Sequence, residues 1–141
     1  MMKFTPSTDQ DIEQLSKWIQ NDPYHKDCLD PLWWLTGNGF LSYCLQDEKG
    51  PTMYVRIDRE GDLMRLHCQF APGSEVNKKR VIRSLTWALP KMQHLAETNG
   101  MVGFIYKSSS PLLIQYMERQ FGFQAVGNDD HKLLFESVKE G

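Results

Sequence analysis

The chain has 141 residues, 40% of them hydrophobic and 24% charged, with a net charge of −2 and a pI near 6.1. That length and apolar content suit one globular domain with a real core, and the charge balance excludes a globally basic binder of nucleic acid or membrane surfaces. Met1 to Gln10 holds no apolar run and no segment approaches the ~20 apolar residues of a membrane span, so neither a secretory signal nor a transmembrane helix is expected.

Met2 to Thr5 reads as a short strand closed by Pro6. Ser7 or Thr8 then caps a helix, with Gln10 three residues after Ser7 as a capping box requires. Ile12, Leu15, Trp18 and Ile19 recur at helical spacing and make that helix amphipathic. Asn21 to Asp30 is polar and irregular, and Pro31 opens a brief helix with Trp33, Trp34 and Leu35 that Gly37-Asn38-Gly39 ends. Adjacent helical residues point about 100° apart, so one tryptophan should pack inward while the other edges a cleft.

Three strands follow, Phe40 to Gln46, Thr52 to Asp58 and Leu63 to Ala71, and the short turns between them predict an antiparallel meander. In the last, Met64, Leu66, Cys68 and Phe70 alternate with Arg65, His67 and Gln69, so one face is core and the other is wet or faces a cleft. A long helix then carries a stripe of Val81, Leu85, Leu89, Met92 and Ala96, with Pro90 expected to kink or split it near Thr86 and Asn99-Gly100 as its stop. Met101 to Tyr106 is a strand, Pro111 to Gln120 a helix, and Gln124 to Val126 and His131 to Ser137 are strands joined through Asn128-Asp129-Asp130. The order β-α-α-β-β-β-α-β-α-β-β predicts an α/β (α+β) class. Two βα units near the end should cross over right-handed onto a mixed sheet, with helices on both faces. Repeats, linkers and low-complexity segments are missing from the sequence, so residues 1–141 are read as a single domain.

Cys28, Cys44 and Cys68 are odd in number and far apart. The last two lie in apolar strand-like runs and read as buried free thiols, which fits a reducing cytoplasm. His25 and Cys28 have the spacing of half a metal site, but no second pair accompanies them, so no metal is expected. His94 and His131 read as surface residues.

The segment Ala71 to Leu89, APGSEVNKKRVIRSLTWAL, crowds Lys78, Lys79, Arg80 and Arg83 at the start of the long helix. A helix N-terminus already carries about half a positive charge, so each cation there costs roughly 0.3–1 kcal/mol. Such a cluster is either a solvated patch or a grip on something anionic. Four cations on an acidic chain without interleaved aromatic residues make a weak nucleic-acid site.

The order of elements, the strand-Pro-loop-helix HCQFAPGSEVNKKRVIRSL and the helix ending Phe121-Gly122-Phe123 together resemble the GNAT superfamily of acyl-CoA N-acyltransferases over nearly the whole chain. The resemblance implies a central, mostly antiparallel sheet of about six or seven strands with helices on both faces. It also implies an acyl-CoA site at the loop after the fourth strand. There the family reads R/Q-x-x-G-x-G/A, and its backbone N–H groups wrap the pyrophosphate of coenzyme A. Aligning Val81 and Leu85 with the family's apolar positions puts Asn77 first, with Arg80 and Ile82 where glycines are usual. Side chains of Lys78, Lys79 and Arg80 would then replace part of the backbone cradle.

By the same resemblance, a backbone N–H within Gln69-Phe70-Ala71 holds the thioester carbonyl, and Ser109 and Ser110 stand where an asparagine contacts the pantetheine arm. The family's leaving-group tyrosine falls at Glu118; Tyr116, two residues earlier, points about 200° away around the helix. Both are candidate acids. His67, on the polar side of the fourth strand, is the candidate base, its ordinary pKa near 6.5 suiting the task, and Glu75 is a second.

Two functions remain open. One is an N-acetyltransferase moving an acetyl group from acetyl-CoA to a small-molecule or protein amine. The other is a GNAT-fold binding or assembly protein without chemistry, such as a phage morphogenesis or virion component, to which glycine-poor members are similar. A coenzyme A thioester and an amine acceptor are the implied partners, a homodimer is compatible with either function, and a membrane partner is not expected.

Overall fold

The computed structural model describes residues 2–23, 30–37, 41–74 and 76–135. A seven-stranded sheet in the order β1-β2-β3-β4-β5-β7-β6 forms its centre. The strands are β1 (Lys3–Pro6), β2 (Leu41–Asp47), β3 (Gly50–Glu60), β4 (Leu63–Phe70), β5 (Gly103–Lys107), β6 (Gln124–Gly127) and β7 (Asp130–Leu134). The helices are α1 (Ile12–Gln20), α2 (Lys78–Thr98) and α3 (Pro111–Phe121), with a 3-10 turn at Pro31–Leu35.

The mixed α/β class and the antiparallel meander of β2, β3 and β4 agree with the sequence. Period-two alternation divides the meander between two cores. Leu45, Met53, Val55, Ile57, Met64 and Leu66 face α2 and α3, packing with Leu85, Leu89, Met92 and Met117. Cys44 and Tyr54 point the other way, towards Leu15, Trp18 and Ile19 of α1 and Trp34 of the 3-10 turn. Helices therefore cover both faces.

Several local details differ from expectation. The capping box uses Thr8 and Asp11, not Ser7 and Gln10, and a 3-10 turn (Asp9–Asp11) precedes α1. α2 continues unbroken through Pro90, because buried side chains on both sides of the proline, Leu85 and Leu89 before it and Met92 and Ala96 after, hold one continuous stripe to the sheet. Of the two terminal βα units, only β4-α2-β5 places its strands side by side in parallel. The second reaches the sheet edge at β6, and β7 inserts between β5 and β6 through a hairpin whose Asn128 and Asp129 adopt φ of 56° and 64°. Those are the residue types that tolerate the left-handed region in such turns. His131, expected at the surface, is buried in β7 against Tyr106. The His25–Cys28 half-site, Glu75 and the end of the last predicted strand lie outside the described residues.

Two glycines fix the neighbourhood of β5. Gly122 adopts φ 87°, ends α3 and turns Phe123 inward onto Phe104 and Tyr106. Gly103 lies between β4 and β7, where an added Cβ would come within 2.4 Å of the Leu133 carbonyl oxygen. Gly103→Ala is expected to lower stability by ~1–3 kcal/mol through backbone displacement. Gly73→Ala, with nothing within 4 Å of the added atom, should leave it nearly unchanged. Urea denaturation of both variants measures the contrast, and equal midpoints would show that the β5 junction has slack.

Candidate functional site

β4 and β5 pair in register only from Leu63↔Gly103 to Leu66↔Tyr106. β4 then continues through His67, Cys68, Gln69 and Phe70 while β5 ends at Lys107, so the strands separate. A cavity of about 510 Å³ occupies the gap. It reaches both layers, with Ile19, Trp33 and Trp34 lining it on the α1 side and Leu85, Leu113 and Met117 on the α2–α3 side. Ladder geometry gives the opening polar edges. The Ala71 N–H bonds the Thr52 carbonyl of the neighbouring segment at 3.0 Å. Strict alternation then turns the amides of Gln69 and His67 towards β3 and those of Cys68 and Phe70 towards the gap.

Of the residues singled out from sequence, His67, Gln69, Phe70, Ser109 and Ser110 line this cavity. Ala71 closes β4 and packs in the α1-side core. The expectation for the tryptophans holds: Trp34 is buried, while the half-exposed Trp33 stands edge-on to His67 with ring centres 4.8 Å apart. Arg56 fixes this wall. Its guanidinium lies 4.2 Å over the Trp33 ring, donates to the Trp33 and Thr36 carbonyls and pairs with Asp58 at 2.9 Å.

His67 is half-buried, and its Nε2 lies 3.3 Å from Asp58 Oδ2. Burial drives its pKa down to about 4, only partly opposed by the Asp58 charge. The ring is therefore neutral near pH 7. Gln69 is fully buried and donates to Asp22 at 3.0 Å and to the Phe70 carbonyl at 3.1 Å, tying β4 to the end of α1. Cys68 also lines the cavity, and burial pushes its thiol up to about 12, so it is protonated.

The start of α2 lies outside the cavity lining. The Asn77 side chain accepts from the Lys79 N–H at 2.7 Å, the Asn77 carbonyl accepts from Arg80 and Val81, and the Val76 N–H bonds Pro72. Most of the backbone donors that would cradle an anion are thus satisfied internally. Arg80 is also committed: it forks onto Asp47 at 2.7 and 2.6 Å, and this guanidinium holds the Asp47 carboxyl down to about 2. Lys78 and Lys79 are exposed and have no ion-pair partner among the described residues. Of the serines, Ser110 caps α3 by accepting from Leu113, and Ser108 accepts from the Ser110 N–H.

Tyr116 and Glu118 do not join the cavity lining. The Tyr116 hydroxyl hydrogen-bonds the Thr86 hydroxyl, bridging α3 to α2. Sequence reasoning passed over Tyr106, which lines the cavity from β5, and Asp22, which lines it from the end of α1. Tyr106 sat at the end of a predicted strand with no mark of its own; Asp22 sat in a stretch without periodicity. Only the tertiary arrangement brings them to the gap.

No group of three or more His, Cys, Asp or Glu side chains that would hold a metal exists among the described residues, and no helix there is long and apolar enough to cross a membrane. No family model and no curated protein matches the sequence. Solved structures do match the fold. An acetyltransferase of the GNAT family from Staphylococcus aureus Mu50 superposes with a TM-score of 0.68 at 13% identity, over 95% of this chain and 99% of that one. The ribosomal-protein-S18-alanine N-acetyltransferase from Escherichia coli gives 0.66 at 12% identity, over 98% and 99%. The PaiA N-acetyltransferase from Thermoplasma acidophilum, solved in complex with coenzyme A, gives 0.62 at 10% identity, over 96% and 99%. With its sheet opened between β4 and β5 and helices on both faces, the chain has the fold of the GNAT-family acetyltransferases.

Proposed function

We propose that the protein is a coenzyme A-dependent N-acyltransferase that moves an acetyl group to an amine, small or protein-borne. The observation that carries this reading is the opening between β4 and β5, which gives a slender thioester a route between two strands and presents backbone N–H groups along one edge. The fold's likeness to N-acetyltransferases supports it.

In this reading the acyl-pantetheine arm enters between β4 and β5 beside Ser109 and Ser110. The amide edge of Gln69-Phe70-Ala71, the Phe70 N–H above all, meets the carbonyl oxygen as it gains charge. Asn77 and Val81 shape the turn into α2. Lys78 and Lys79 supply the positive side chains for the phosphates, while Arg80 holds the β2–β3 turn through Asp47 and so steadies the ground beneath them. The amine approaches from the Trp33 side. A base with pKa about 4 is poorly matched to removing a proton from an ammonium near pH 7, so His67 serves as a neutral hydrogen-bonding wall and the amine arrives already deprotonated. Tyr116 and Glu118 contribute packing and charge from outside the cavity. The acceptor lies within reach of a cytoplasmic pool if the protein resides there, as its free thiols favour.

A second reading, a GNAT-fold binding or assembly protein without chemistry, is favoured by the internal engagement of Arg80 and Tyr116. Ligand binding separates the two. Saturating coenzyme A at 100 times its dissociation constant should stabilise an active site by about 2.7 kcal/mol and raise Tm; no shift at millimolar ligand leaves only the second reading.

A double variant tests the lysines with opposite signs. Lys78→Glu with Lys79→Glu removes two unfavourable cations from a helix N-terminus, worth roughly 0.3–1 kcal/mol each, so Tm should hold or rise. Affinity for coenzyme A, read by calorimetry, should fall at least tenfold. Undiminished affinity would discard the phosphate role.

The depressed His67 pKa also sets a pH window for stability. Unfolded, the ring takes a proton near its ordinary 6.5; folded, only near 4. Between those values the unfolded state binds more protons, so this contribution to stability is lost as pH falls through the window and is constant below it. His67→Gln should therefore lose less Tm than the wild type between pH 7 and pH 4. Parallel losses would show that the ring titrates normally.

A further inference from the structure

The outer face of α2 carries charge and apolar surface that its packing does not use. Lys78, Lys79, Ile82, Arg83 and Thr86 are all exposed. At about 100° per residue they fall within an arc of about 140°, so they form one stripe along the helix. Thr86, in the middle of that arc, bonds the Tyr116 hydroxyl and ties the stripe to α3. Ile82, one turn before Thr86, is 41% exposed; Leu112, one turn before Tyr116 on the same flank of α3, is 69% exposed. Two large apolar side chains therefore stand among three cations where the helices meet.

That charge is unanswered among the described residues. Lys78, Lys79 and Arg83 have no ion-pair partner there, and neither α2 nor α3 has an acidic residue in its first turn. Arg80 lies off the stripe and turns to Asp47. Cations flanking exposed apolar side chains suit a partner that is acidic and carries apolar groups of its own.

The position of the patch narrows the partner further. Ser109, Ser110 and Leu113 line the cavity, and Leu112 lies beside them in the first turn of α3, so patch and cavity adjoin. The backbone at the start of α2 is meanwhile closed to a pyrophosphate. Its Lys79 N–H is taken by the Asn77 side chain, and its Arg80 and Val81 N–H groups by the Asn77 carbonyl. The cavity suits a pantetheine arm, while the turn asks for no nucleotide at the far end of that arm.

Resting on the acyl-transfer reading above, we propose that Lys78, Lys79, Ile82 and Arg83 of α2, with Leu112 of α3, dock an acidic carrier protein that delivers its acyl group on a serine-linked 4′-phosphopantetheine arm, through the cavity that also takes coenzyme A. Carboxylates of the carrier meet the three cations, its apolar residues cover Ile82 and Leu112, and the arm enters beside Ser109 and Ser110. Charge pairing at such a rim speeds encounter and sets orientation more than it adds affinity, which suits a donor that must leave after each turnover. Transfer runs alike from either donor. The amine nitrogen bonds the acyl carbon, the C–S bond breaks with its electron pair passing to sulfur, and the proton released from nitrogen reaches the sulfur through water. The carrier departs with a free pantetheine thiol.

Calorimetry tests this without knowledge of the acceptor. A bacterial acyl carrier protein is titrated into the full chain in its holo form and in its apo form, which lacks the arm, and coenzyme A is titrated separately. The holo form should bind about tenfold more tightly than the apo form or better. Arg83→Glu with Leu112→Glu, both at exposed positions, should weaken the holo carrier about tenfold and leave coenzyme A within about twofold. Equal losses for the two ligands would make the patch a seat for the nucleotide and overturn the docking face. Coenzyme A binding without holo-carrier binding, or apo and holo forms binding alike, would also overturn it and leave the acyl-transfer reading intact. Failure of both coenzyme A and the holo carrier to bind would overturn both. Should the double variant fold poorly, Arg83→Gln alone must still weaken the holo carrier severalfold, and an unmoved affinity counts against the proposal.

Discussion

The parting of β4 from β5 after Leu66 and Tyr106 is the constraint on which the rest of the molecule depends. Two parallel strands with hydrogen-bonding edges normally satisfy one another along their length, and an unpaired backbone edge in the interior is expensive. Here the pairing stops while β4 runs on through Phe70. The cavity and the direction of the Cys68 and Phe70 amides are consequences of that early stop. Large side chains keep the gap from closing: Trp34, Leu85 and Met117 pack around it from both layers, and Gln69 anchors β4 to Asp22.

Charge around the start of α2 is arranged in two tiers. Arg80 turns inward to Asp47 and clasps the β2–β3 turn, whose own geometry is set by Asp47 accepting from the Lys49 N–H at 2.9 Å. Lys78 and Lys79 are left outward. The helix also satisfies its first donors with Asn77 rather than leaving them free. With those donors paired, the turn accommodates Arg80 and Ile82 in regular helix. Among the described residues Lys78 and Lys79 have no ion-pair partner, so their opposition to the helix dipole stands as a local cost.

Much of the architecture was legible in the sequence, and the reasons are local. Strict alternation in Met64 to Phe70, the two short turns of the meander, the proline that opens α3 and Gly122 each fix a neighbouring stretch without reference to the rest of the chain. What escaped was set by tertiary context. Pro90 did not divide α2 because a buried stripe on both sides held it together. His131 read as exposed because its polarity, not its burial against Tyr106, was visible. Of the cavity lining, His67 was legible from the alternation of β4, and Gln69, Phe70, Ser109 and Ser110 from the family resemblance, whereas Tyr106 on β5 carries no local mark and joins the lining only through the tertiary arrangement. Tyr116, two residues before the position of the resembled family's leaving-group tyrosine, bonds Thr86 and so joins α3 to α2.

The cavity is lined from both layers of the sheet. Leu85, Leu113, Met117 and Ser108–Ser110 line it on one side, and Ile19 and the Trp33–Trp34 pair on the other. The two sets belong to different elements and to different halves of the core. Substitutions at Ile19, Trp33 or Trp34 can therefore reshape one wall while the packing of the opposite wall keeps its form.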